Sequence, residues 1–94
     1  MTDQTPARPC NLKPRVHKPK TDHEVFVYDF IGRRIKLGRK MLNLTQANLG
    51  AEIGITHQQI QKWELGLQRI PAYRLHQIAT TLNKPHQWFF PCQP

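Results

Sequence analysis

TQANLGAEIGITHQQIQKWELG, residues 45–66, reads as two short helices joined by a tight glycine turn. Thr45 is a good N-cap for the first, which would bury Ala47, Leu49, Gly50 and Ile53 on one side. Gly54 sits where a left-handed residue stops that helix. Thr56-His57-Gln58-Gln59 then fits a capping box, Thr at N-cap and Gln at N3, so a second helix starts almost at once. In that helix Ile60 and Trp63 face inward with Ile55 just before them, and His57, Gln58, Gln61 and Lys62 share the opposite face.

Two helices with a short glycine turn make the helix-turn-helix arrangement. An exposed first half rich in Gln suits major-groove reading, because a Gln amide can bond N6 and N7 of adenine together. Periodicity alone leaves a bland alternative, since any small helical domain has amphipathic helices and glycine turns. The residues go further. Thr45-Gln46, Leu49-Gly50, Ile53-Gly54-Ile55-Thr56, Ile60, Trp63-Glu64 and Gly66 closely resemble the Cro/lambda-repressor-like (XRE) helix-turn-helix family. The likeness extends back to Ile31-Gly32-Arg33-Arg34-Ile35 and forward to Arg74-Leu75, Ile78-Ala79, Leu82 and Phe89-Phe90. The run Gln58–Glu64 looks most like small bacterial members of that family.

The resemblance implies roles. It puts base contacts on His57, Gln58 and Lys62, with Gln61 between them, although His57 stands where Gln or Arg is common. Gln46 matches a phosphate-contacting Gln at the start of a helix, where backbone amides also favour an anion. Thr45 and Arg69 are further backbone candidates, and Gln59 serves either its capping box or a phosphate. Such contacts position a reader without specifying sequence. Finally, an Arg at position 39 is implied to pair with Glu64, which makes Glu64 structural.

Bulk properties agree. With 14 Lys+Arg against 6 Asp+Glu in 94 residues, the formal charge of +8 favours a polyanionic partner over simple solubility. A hydrophobic content of 38% supplies one small core. No apolar run approaches the ~18–20 residues of a membrane span, and no apolar segment follows the basic N-terminus as a secretory signal requires. Cys10 and Cys92 show no zinc spacing and read as reduced thiols. Asn43-Leu44-Thr45 matches a glycosylation sequon by chance. His17, His23, His76 and His86 are isolated from carboxylate or Cys partners at metal spacing, and His23-Glu24 lacks the second His of a zincin. No nucleophile–base constellation stands out, so neither catalysis nor a cofactor or metal is expected.

Residues 1–22 read as a disordered, basic, Pro-rich arm, with four prolines and five cations in the first 20 residues. A passive solvated tail and a DNA-following arm using Arg8, Lys13, Arg15, Lys18 and Lys20 both fit that composition. The remainder, 23–94, reads as an all-α, five-helix, lambda-repressor-like domain with its helix-turn-helix at 45–65. A helix starting between 23 and 30 runs to about Leu42, burying Ile31, Ile35, Gly38 and Leu42, with Gly38 at a close helix crossing. Val25, Val27 and their aromatic neighbours could make a short extended lead-in before it, or Thr21 or Asp22 could cap an early helix. The many cations of this helix read mostly as a solvated face. Pro71 suits the first position of the fourth helix, whose stripe is Leu75, Ile78, Ala79 and Leu82. Asn83 ends it, and Pro85 restarts a fifth helix through Phe89. Trp88, Phe89 and Phe90 read as core packing rather than an exposed dimer patch.

These expectations describe a bacterial, cytoplasmic regulator that associates with the nucleoid through sequence-specific duplex DNA binding. Repression is the default mechanism, and a homodimer on a palindromic operator the expected form. The rival from another class is a protein-interaction module, an antitoxin or adaptor on the same fold. It is discriminated by whether the protein alone binds a defined duplex. RNA binding is disfavoured because no sheet of exposed aromatics is expected.

Overall fold

The computed structural model describes residues 21–92. The arm cations Arg8, Lys13, Arg15, Lys18 and Lys20, together with Cys10 and His17, lie outside them. The described chain is all-α, with four α-helices and one 3-10 turn: α1 (Asp22–Met41), α2 (Gln46–Ile53), α3 (His57–Glu64), α4 (Ala72–Leu82) and the turn His86–Phe89.

α1 begins at Asp22, just before the expected window. Thr21 Oγ1 accepts from Glu24 N while Glu24 Oε1 accepts from Thr21 N, a complete capping box that overrides the β-branched and aromatic run Val25–Tyr28. The helix ends at Met41 because Asn43 turns left-handed, with φ of 58°. Leu42 therefore leaves the buried stripe and stands 47% exposed. α2 has its own full box, Thr45 with Asn48, and ends at Gly54 with φ of 76°. Ala47 does not join its buried side: Leu49, Gly50 and Ile53 do, and Ala47 points to solvent. Pro71 is the N-cap of α4 rather than its first helical residue, and Asn83 closes α4 left-handed at φ of 57°.

Ile31, Ile35, Leu49, Ile53, Ile60, Trp63, Ile70, Leu75, Ile78, Ala79, Leu82 and Phe89 form one core. Each element contributes one face to it, so burial of apolar area holds all five together. Phe89 is fully buried and Trp88 packs on the edge, but Phe90 is 42% exposed and not core. The crossing at Gly38 is close, since an added Cβ would lie 3.0 Å from Leu82 Cδ1. Gly32 makes the tighter approach. A Cβ there would run into the Trp63 carbonyl and lie 2.5 Å from the Glu64 carbonyl, so only glycine lets α1 cross the end of α3.

Candidate nucleic-acid interface

α3 is amphipathic over its eight residues. Ile60, Trp63 and Glu64 are buried, and His57, Gln58, Gln61 and Lys62 all point to solvent from the same outer face. Thr56 Oγ1 accepts from Gln59 N, so the helix is capped. The reciprocal half of the expected box is missing, because Gln59 Nε2 donates instead to Gln68 Oε1 at 2.8 Å. That bond ties the start of α3 to the loop leading into α4. It leaves Gln59 half-buried at the shoulder of the face.

The other end of α3 is anchored by charge. Glu64 Oε2 accepts from Arg39 Nε at 2.7 Å, and Glu64 Oε1 accepts from Arg39 Nη2 at 3.0 Å. The two side chains are only 9% and 3% exposed. Arg39 Nη1 donates to the Leu44 carbonyl at 2.8 Å, and Gln46 Nε2 donates to Glu64 Oε1 at 3.0 Å. A bidentate fork with its remaining groups satisfied is the condition under which a buried pair is tolerated. It fixes α1, the start of α2 and the end of α3 in one register. Arg74 adds a further tie, its Nη1 donating to the Ile53 carbonyl at the end of α2.

The backbone candidates carry structural duties as well. Thr45 Oγ1 accepts from Asn48 N, yet its hydroxyl proton is left to donate. Gln46 has a second amide proton beyond the one given to Glu64. Arg69 is turned toward Glu24, with Nε 3.1 Å from Oε2. Sequence reasoning left Arg33 and Lys36 of α1 as part of a solvated face. They line a groove with Asp29, Gln46, Gln61, Glu64 and Leu65, directly beside the outer face of α3. Spacing along α1 gives no sign of that neighbourhood, which depends on the crossing at Gly32. His76 and His86 meet each other: Nδ1 of His76 lies 3.0 Å from Nε2 of His86, and their rings stack. Among the described residues no three His, Cys, Asp or Glu side chains group as a metal site, and no helix is long and apolar enough to cross a membrane.

Comparison with known proteins agrees with this fold. A helix-turn-helix family model matches residues 35–89. A protein of Sinorhizobium medicae (strain WSM419), named an uncharacterized HTH-type transcriptional regulator, is 48% identical over 64 residues, 68% of this chain and 46% of the relative. An uncharacterized transcriptional regulator from the ATPase CF(0) region of Rhodospirillum rubrum is 42% identical over 71 residues, 76% of this chain and 64% of that protein. The chain thus spans about half the length of the first of these relatives. Among solved structures, the restriction-modification controller protein C.AhdI from Aeromonas hydrophila superposes with a TM-score of 0.64 at 21% identity, covering 67% of this chain and 96% of that one. Hydroxypropylphosphonic acid epoxidase from S. wedmorenis gives the same TM-score of 0.64 at 20% identity over 69% of this chain and 35% of the epoxidase. At such identities these two speak for the fold alone, and the fold serves more than one purpose. The family match covers more than half of the chain, and the chain belongs to the helix-turn-helix family, in its XRE, Cro/lambda-repressor-like group.

Proposed function

We propose that this chain is a transcriptional regulator that binds duplex DNA by sequence, reading the major groove with α3. The observation that carries the reading is the division of α3 itself. One face is locked by Ile60, Trp63 and the Arg39–Glu64 pair, and the other offers His57, Gln58, Gln61 and Lys62 unburied. A rigid helix with an outer row of amide and cationic groups meets the geometric need of base-edge recognition. Gln58 and Gln61 would bond adenine edges, Lys62 a guanine or a phosphate, and His57 a base or the backbone at the helix start.

Thr45, Gln46, Gln59 and Arg69 would hold the phosphates on either side, through the donors left after their internal bonds, and the arm cations would add salt-dependent affinity. A homodimer on a palindromic operator follows from how little surface one module buries and how strongly two half-sites multiply specificity. Repression by occluding a promoter is the simplest action of such a reader. A cytoplasmic, nucleoid-associated location follows from the same reading, and a catalytic role does not.

The test selects binding sites for the purified chain from random duplexes. A symmetric consensus with half-sites about one helical turn apart supports the reading. Recovery of no consensus, with weak and steeply salt-dependent binding, would favour an antitoxin or adaptor on the same fold.

A further inference from the structure

The core uses one side of α1, a helix of 20 residues, burying Ile31, Ile35 and Gly38 there. At about 100° per residue the opposite side carries Phe26, Phe30, Leu37 and Met41, spaced i, i+4, i+11 and i+15. Phe26, Leu37 and Met41 are 56%, 49% and 54% exposed, and the Phe26 and Phe30 rings lie 6.4 Å apart. Arg33 and Arg34 flank this stripe, one on each side, between Phe30 and Leu37. Arg34 lies over the Phe30 ring at 5.0 Å and the Trp88 ring at 4.9 Å, and Arg33 pairs with Asp29 at 3.0 Å. The outer face of a helix in a lone monomer is normally polar.

The charges flanking the stripe are ordered along the helix. One edge reads Asp22, Asp29, Arg33, Lys36 and Lys40, acidic in the first half and basic in the second. The helix dipole accounts for Asp22 and Lys40 taken singly, but not for an apolar row beside them. A second α1 laid antiparallel brings the acidic half of each helix opposite the basic half of the other and joins the two apolar rows. A parallel pair sets each edge against the opposite edge of its partner and does not bring these acidic and basic halves together. A patch that complements itself under a two-fold axis is what an isologous interface requires.

We propose that the outer face of α1 is the surface on which two copies of this chain associate, their α1 helices antiparallel. The occupant is a second copy because the face matches its own charge order. Four apolar side chains make a modest contact, so the flanking charges set register and specificity. This inference needs no DNA contact and stands or falls separately from the reading of α3.

The experiment is sedimentation equilibrium of the full chain without nucleic acid. The wild type is expected to sediment as two chains and Leu37→Glu as one, with dimerisation weakened about tenfold or more, as loss of ~1.4 kcal/mol or more implies. Asp22→Lys/Asp29→Lys and Lys36→Glu/Lys40→Glu are each expected to be monomeric, and an equimolar mixture to regain a dimer. Circular dichroism of each variant reports folding, and recovery in the mixture excludes a folding defect as the cause of dissociation. A monomeric wild type overturns the proposal. So does a dimer indifferent to Leu37→Glu, or a mixture that stays monomeric.

Discussion

The two ends of α3 solve opposite problems within eight residues. At its C-terminal end Glu64 is buried, bonded to Arg39 and Gln46, and pressed against α1 at Gly32. At its N-terminal end His57 and Gln58 face solvent in the first turn, just after the Thr56 cap. Stability is concentrated in the buried pair, and recognition chemistry in side chains with almost no burial. The two properties should therefore separate under mutation.

The sharpest break falls at the buried end. Glu64→Ala leaves the Arg39 guanidinium desolvated, so it is expected to cost about 3–5 kcal/mol in urea unfolding. Arg39→Met combined with Glu64→Leu should cost clearly less than the single change, because no charge is stranded. If the single and double variants lose stability equally, the pair is not what anchors α3. Next, Gly32→Ala pushes a methyl into the Trp63 and Glu64 carbonyls and should cost about 1–3 kcal/mol by thermal unfolding. An unchanged Tm would show that α1 and α3 can move apart there.

At the exposed end the effect should appear in binding alone. Gln58→Ala is expected to leave unfolding within about 0.5 kcal/mol of wild type. It should also weaken specific DNA binding by ~1–3 kcal/mol, read by fluorescence anisotropy. Smallest is the cap: Thr45→Ala removes the bond to Asn48 N and should cost about 1 kcal/mol of stability. If it also removed base preference, the separation of positioning from reading would be wrong.

Local signals made much of this fold legible. Thr45, Gly54, Thr56 and Asn83 mark helix ends by their own conformational preferences, and Leu75, Ile78, Ala79 and Leu82 repeat cleanly at helical spacing. The start of α1 was also written in the chain, as Thr21 and Glu24 three apart, but Val25, Phe26 and Val27 beside them mimic a strand. Ala47 fell on the wrong face because two residues turn a helix by more than half a circle, too far for it to share Leu49's side.

The site divides in the same way. The outer face of α3 follows from spacing alone, whereas the Arg39–Glu64 bond came from family likeness and is met in the structure as a 2.7 Å contact. Gln59–Gln68, Gln46–Glu64 and Arg69–Glu24 join side chains distant in sequence. No periodicity encodes such contacts, because they depend on which elements the core brings together.

The most direct test of the division within α3 titrates wild type and Gln58→Ala on a selected duplex and on a scrambled one, in the same salt, with unfolding measured alongside. The expected result is unchanged stability, unchanged affinity for the scrambled duplex, and a specific affinity lower by ~1–3 kcal/mol. Equal affinity of both proteins for both duplexes would contradict it and remove base reading from α3.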